Sequence, residues 1–427
     1  MSLAAVLGPR AEDVIRGGGV RALYQPIVDL DSGVNVAFEA LARGPIDHPL
    51  RRPERLFDAA RAAGCVRELD EACRSAALDG AVSAGLQAPW ALFVNVEPNG
   101  LDWARTPGDL SVRQQSGARP FPVVVEITER DLADDPASLM RFVERVRAQG
   151  LRIALDDVGA RPESLALLPL LRPDVIKLDL RLVQQRPTGE VAEIVTAVNA
   201  EAERSGAVLL AEGIETKKHL DFARGLGARL GQGWLFGRPG PMPDLTGRPR
   251  PAADAVPGSV RSQLLLDCTP YEAAAARISA RTSRKPLLIE ISKHLEHQAM
   301  RLGANVVLLA TVQHAQFFTP ATARRYRALA DSAVFAAVLG EDVPAEPLPG
   351  LRGGRLAPTD PLVGEWDLTV VGPHFAAALL ARDLGDTGPD DERRFDYVLT
   401  HDRDVVVAAA AALMSRVTPV QPPADRT

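Results

Sequence analysis

Residues 151–160 read LRIALDDVGA: a mostly apolar run that suits a strand, then two adjacent carboxylates, Asp156 and Asp157, then a glycine. Folding alone gives no reason for the pair. Two like charges at the edge of a low-dielectric core each raise the cost of ionising the other, so something positive belongs beside them. Working outward, short apolar runs recur from about residue 20 to 240 and alternate with helical patterns. The runs are RALYQPIVDL, VNVAFEALAR, WALFVNVEP, PVVVEITER, LRIALDD, DVIKLDL, AVLLAEGI and RLGQGWLFGRP. Pro53 to Gly85, PASLMRFVERVRAQG and EVAEIVTAVNAEAERSG supply helices between them. Apolar strands covered on both faces and joined by helices indicate a parallel sheet, and about eight of them indicate a TIM-like (β/α)8 barrel. An open doubly wound sheet is the structural rival, but it would usually carry a glycine-rich phosphate turn after its first strand, and none is present.

The polar residues decide between the two. Glu39 ends the second run, Asn95 the third, Glu126 sits late in the fourth, Asp156 and Asp157 end the fifth, Lys177 lies in the sixth, and Glu212 and Glu215 end the seventh. In a barrel the C-terminal strand ends open on one rim, so groups far apart in sequence converge on one mouth. Apart from the lysine, these are oxygen donors, with no His or Cys in the set. Hard oxygen ligands favour Mg²⁺ or Mn²⁺ over zinc, with calcium as a competitor. Divalent cations between the aspartates would let both stay ionised.

Composition sets the outer bounds. At 427 residues the chain suits two domains, on a scale of roughly 150 residues each, relaxed for barrels. A hydrophobic content of 46% with 24% charged residues is that of a folded protein, and the net charge of −6 argues against direct nucleic-acid binding through backbone phosphates. Three scattered cysteines form neither a disulfide framework nor a zinc cluster and point to a reducing compartment. No apolar run approaches the roughly 20 residues that span a bilayer, and MSLAAVLGPRAED is too short in its apolar part for a signal peptide. The expectation is a cytoplasmic protein with no membrane partner.

Residues 20–240 also resemble an EAL domain, the family of cyclic di-GMP phosphodiesterases. The signature stands as Glu39, Ala40 and Leu41 in AFEALAR, accompanied in order by YQPIVDL, NVEPNGL, VVVEITERDL, ALDDVG, VIKLDL, LLAEGIET and GQGWLFGRP. The resemblance implies hydrolysis of cyclic di-GMP to the linear dinucleotide pGpG with two Mg²⁺ or Mn²⁺ ions per site, in a homodimer formed through the barrel. It implies that Glu39, Asn95, Glu126 and Asp156 bind one metal, that Asp157 reaches the second, and that Glu215 contributes near it. By the same resemblance Lys177 holds the attacking water and Glu212 is the general base or its support. Gln25, Pro26, Arg43 and Gln232 match substrate contacts, and Glu129 matches an acid that steadies the loop after the fifth strand. One departure stands out: DDVGARPES has Val158 where the family usually has Phe, and Arg161, Pro162 and Glu163 in a loop that links the metal site to the dimer interface. The alternative to an enzyme is a receptor that binds cyclic di-GMP without turnover and signals through the second domain.

That second domain follows a proline-rich stretch. Taking residues 1–240 as the barrel, 241–259 read as a linker, 260–417 as one mixed α/β domain, and 418–427 as a flexible tail. PLLIEISKHLE, GEWDLTVVGPHFAAALLARD and YVLTHDRDVV resemble a DICT domain, which implies a sensory module of unknown signal. His294, Glu296 and His297 invite a metal reading, set against plain exposed helix residues. His401, Asp402 and Asp404 suit a helix cap, and Trp366 and Phe375 suit a core.

Overall fold

A computed structural model describes residues 10–96, 121–128, 135–160, 164–245, 250–251, 256 and 268–419. Eight strands close into a barrel in chain order: β1 (Arg21–Asp29), β2 (Asn35–Arg43), β3 (Ala91–Asn95), β4 (Val123–Thr128), β5 (Arg152–Val158), β6 (Val175–Leu178), β7 (Val208–Ala211) and β8 (Leu230–Gln232). Around it lie α1 (Ala11–Arg16), α2 (Pro53–Ala63), α3 (Val66–Ser83), α4 (Pro136–Ala148), α5 (Ser164–Leu171), α6 (Leu180–Gln184), α7 (Gly189–Ser205) and α8 (Lys217–Gly225). The stretch read as one helical region from Pro53 to Gly85 is two helices, broken at Gly64, which ends α2 in the left-handed region at φ 67°.

The all-parallel expectation fails at one strand. β1 runs antiparallel to both β2 and β8, while β2 to β8 are parallel. The connection between β1 and β2 is too short for a crossover, so the two strands can only form a hairpin. Asp29 Oδ1 accepts from the Ser32 amide at 2.9 Å and its hydroxyl at 2.7 Å, and Gly33 takes φ 69°. Strand β2 continues past Glu39 to Arg43 because the reversed β1 pairs with it along that length.

The second domain is a seven-stranded mixed sheet in the order β12–β11–β10–β13–β14–β15–β9. Its strands are β9 (Arg281–Arg284), β10 (Val307–His314), β11 (Phe335–Glu341), β12 (Arg352–Leu356), β13 (Glu365–Val371), β14 (Ala376–Asp383) and β15 (Arg394–Thr400). One face packs under α10 (Lys285–Leu302) and α11 (Pro320–Ser332). The other lies under α9 (Pro270–Ala275) and α12 (Arg403–Met414). Asp402 starts α12 by accepting from the amides of Asp404 and Val405, the cap that the sequence suggested. Trp366 packs edge-on against Phe395 with ring centroids 5.7 Å apart. At the end of the chain, Thr418 is tied to the sheet: its amide donates to Gly353 and its carbonyl accepts from Arg352.

Helix α12, RDVVVAAAAALM, is apolar on every side, and such a helix has to be covered on every side. The sheet covers one flank and the barrel helices α4 and α5 the other, so one apolar core runs from the barrel exterior into the second domain. Polar ties ring this contact. Arg141 donates to the Ser415 carbonyl at 3.2 Å, Arg204 to that of Pro373 at 3.3 Å, and Asn305 to Glu193 at 2.6 Å.

Under α9 and α12, β13 carries two buried carboxyls, Glu365 and Asp367, one strand repeat apart and so on one face. The Tyr271 amide donates to Glu365 Oε2 at 3.1 Å. Burial pushes both groups above the usual carboxylate range; the neighbouring Glu365 raises Asp367 further, while hydrogen bonds from Thr269, the Tyr271 amide and Asp367 pull Glu365 part of the way back. A carboxyl raised on folding is neutral at low pH in both states, and its protonation supports the fold until pH climbs through the folded value. Asp367→Asn removes that loss. Thermal melts from pH 5 to 9 are expected to show the variant gaining on the natural chain as pH rises, by at most about 1.4 kcal/mol per pH unit. A difference that is flat with pH would refute the strained-pair reading.

Candidate functional site

The alternation of a strand builds the site. Ile27, Ala37, Phe93, Val124, Ala154, Val175, Leu210 and Leu230 fill the barrel interior as one apolar cluster. Two residues further towards the open end, the inward positions are Gln25, Glu39, Asn95, Glu126, Asp156, Lys177, Glu212 and Gln232. For the reversed β1 the step runs backwards, from Ile27 to Gln25. The polar layer therefore sits directly on the apolar one.

Lys177 is at its centre, 1% exposed. Its Nζ lies 2.7 Å from Glu126, 2.9 Å from Asp156, 2.9 Å from Glu212 and 3.6 Å from Glu39. Burial works against the ammonium, but Asp156, Glu126, Glu212 and Glu39 together outweigh it and hold the amine protonated well above its ordinary range. Asn95 Nδ2 donates to Glu39 Oε1 at 3.2 Å, and Gln232 Nε2 donates to Glu39 Oε2 at 2.5 Å and to Gln25 Oε1 at 3.3 Å. One ammonium cannot neutralise four carboxylates. Burial, with Glu39 and Asp156 adding repulsion against the pull of Lys177, raises the Glu126 carboxyl well above its ordinary value. Burial likewise leads at Glu212, which reaches about 8.

Asp157 arrives by a different device. Strand parity would send it away from Asp156, but the pairing of β5 with β6 slips between Leu155 and Val158, and Asp157 sits at φ 58°. The bulge brings carboxylate oxygens of Asp156, Asp157 and Glu212 within 4.8 Å of one another. Gly159 follows at φ 91°, where a Cβ would come 2.5 Å from Leu182. The donor set fits a hard divalent cation on two grounds. It has excess buried negative charge, and Glu126 Oε2 has no hydrogen-bond partner among the described residues. Glu39, Glu126, Asp156 and Asn95 could hold one ion, and Asp156, Asp157 and Glu212 another.

The remaining candidates divide. A cavity of about 350 Å³ opens beside the carboxylates and is lined by Glu39, Arg43, Asn95 and Asp156. Gln25 and Pro26 lie on β1, Gln25 opposite Glu39: Gln25 donates to the Gly237 carbonyl at 3.2 Å, and Pro26 leaves no room for a Cβ at Gly237. Burial lowers the Arg43 guanidinium against the opposing pull of Glu54 and Glu39. Glu215 is exposed on the loop after β7, and the close trio is Asp156, Asp157 and Glu212. Glu129 lies outside the described residues. The sequence reading passed over Thr128 and Cys73, which also line the cavity. Thr128 shares the inward parity of Glu126, a signal present in the sequence; Cys73 comes from α3, and nothing local marks it. His294 and His297 are exposed on α10, and Arg325 holds the buried Glu296 at 2.5 Å, so they build no metal cluster there.

Comparison with known proteins agrees with this layout. Residues 10–239 match the family model described as EAL domain, and residues 267–384 match the one described as sensory domain in diguanylate cyclases and two-component systems. A probable cyclic di-GMP phosphodiesterase of Escherichia coli, PdeB, is 30% identical over 239 residues, 55% of this chain and 46% of that protein. The cyclic di-GMP phosphodiesterase RocR of Pseudomonas aeruginosa is 33% identical over 242 residues, 55% of this chain and 61% of its own length. Among solved structures, Klebsiella pneumoniae BlrP1 in a manganese and cyclic di-GMP complex shares 30% identity, with a TM-score of 0.47 over 52% of this chain and 56% of that one.

Lys177→Met tests the ring's electrostatics. Removing a buried ammonium leaves the carboxylates facing one another, at an expected cost of about 3–5 kcal/mol in urea unfolding with EDTA present. A cost below about 1 kcal/mol would mean that the acids do not depend on it.

Proposed function

This chain belongs to the EAL domain family, and on that premise we propose that it hydrolyses cyclic di-GMP to linear pGpG. The observation that carries the reading is the ring of strand-borne carboxylates around Lys177, in negative excess beside an open cavity. Two Mg²⁺ or Mn²⁺ ions fit this set; when bound they would offset charge on the phosphodiester and acidify a water. Glu39, Asn95, Glu126 and Asp156 would hold one, with Asp157 beside the other.

The chain's own groups carry the rest. Arg43, at the cavity wall, meets a phosphate of the incoming dinucleotide, while Gln25, Pro26 and Gln232 set its position along β1 and β8. Lys177 keeps its proton under the influence of its four acidic neighbours, so it acts as a donor that fixes an oxygen and not as a base. Glu212, 2.9 Å from Lys177 and grouped with Asp156 and Asp157, would support the water held there and take up its proton. Water adds to phosphorus and its proton passes to Glu212, the P–O3′ bond breaks, and O3′ takes up a proton from solvent at the open mouth, so one ring ester opens and the other stays. Fixed positions and preorganised charge supply most of the acceleration.

In this reading residues 1–240 are the hydrolytic barrel of a cytoplasmic homodimer, 241–259 a linker, and 260–417 a regulatory domain. Purified full chain with cyclic di-GMP and Mg²⁺ or Mn²⁺ is expected to release the linear dinucleotide, EDTA to stop it, and Glu39→Ala to lower the rate more than about 100-fold. Intact substrate with either metal, together with tight binding, would instead assign the barrel to reception of the nucleotide.

A further inference from the structure

The second domain holds a pocket that the hydrolytic reading does not use. It encloses about 620 Å³ between one face of α10 and the sheet edge, within the range of small-molecule sites. Its floor is apolar: Ile291, Leu295, Phe375 and Leu399. Leu399 belongs to the sheet face that α10 covers, yet it is 40% exposed because the helix cover stops short of it.

The rim is built mainly from acceptors. His401 Nδ1 faces the Ala376 carbonyl at 3.1 Å, and a carbonyl only accepts, so Nδ1 carries a proton and Nε2 is the ring nitrogen left to meet a ligand. Gln298 donates towards His294 Nε2 at 3.5 Å and retains its carbonyl oxygen. Glu290 gives Oε1 to Lys293 at 2.7 Å and keeps its second oxygen. Phe375 meets the His401 ring edge-on at 6.0 Å, which holds both rings at the wall. Apolar floor and acceptor rim call for a flat ring that bears N–H donors.

The wall is also the seam between domains. The Phe375 carbonyl accepts from Arg403 at 3.4 Å, Arg403 faces Glu201 of α7 at 3.9 Å, and Arg204 of α7 donates to the Pro373 carbonyl. From α7 the chain passes directly into β7 and Glu212. We propose that this pocket binds an aromatic amine, at a place where its occupant touches the segment that docks on the barrel. The proposal stands independently of the hydrolytic activity.

Tryptamine, indole-3-acetate and hexylamine, titrated into the full chain by calorimetry and saturation-transfer NMR, test it. Tryptamine is expected to bind with a dissociation constant of about 1 mM, the scale for a ligand of its size. Leu399→Arg, at an exposed position, should abolish that binding without altering the melting temperature, and Glu290→Gln should weaken it at least about threefold. No saturable binding of tryptamine, equal binding to Leu399→Arg, or indole-3-acetate binding as tightly as tryptamine would each overturn the assignment. Equal binding of hexylamine would do the same, since it lacks the ring.

Discussion

The barrel mouth depends on one buried ammonium. Lys177 stands within 3.6 Å of four carboxylates that come from four different strands or strand ends, and no water-filled space could hold those acids as close. The arrangement is short of positive charge, and burial first, then repulsion among the carboxylates, raises Glu126 and Glu212 against the pull of Lys177. Buried oxygen donors in negative excess form a set that hard divalent cations fit. The apolar layer beneath, from Ile27 to Leu230, makes the shortage matter by excluding water from below.

The same economy joins the two domains. A helix with no polar face cannot stand at a surface, so α12 commits the sheet and the barrel to one another. Its position is functionally placed: α4 and α5 flank β5, which carries the Asp156–Asp157 bulge, while the ties through Arg204 and Arg403 reach α7 just before β7. A change in the second domain therefore has two contiguous paths of packed structure to the acidic ring, one on each side of Lys177. Contiguity of this kind is a geometric route, and coupling energy along it is a separate, measurable quantity.

Much of this was written in local patterns. The strand runs, the polar residues near their ends and the segments around Glu39, Asp156 and Lys177 marked the barrel and its rim, and the capping by Asp402 followed from residue type alone. The reversed first strand was legible too, in the LDSGVN turn that joins two apolar runs too closely for a crossover, but the expectation of an all-parallel sheet overrode it. Thr128 was available from the two-residue period of β4. Glu215 was placed from a motif match, while Glu212 follows from the two-residue step beyond Leu210, which sets it beside the aspartates.

What the sequence determined by itself is the set of parts: the alternation that puts one side chain in two towards the barrel axis, the acids at the inward positions, and an apolar helix that has to be buried. Only the folded structure decided their company. The bulge that turns Asp157 to join Asp156, the insertion of Lys177 among acids from distant strands, and the choice of α4 and α5 as the cover for α12 all depend on where separate segments meet in space. Local residue preferences carry no record of those distances, because the forces that set them, burial and unscreened charge, exist only once the chain has closed.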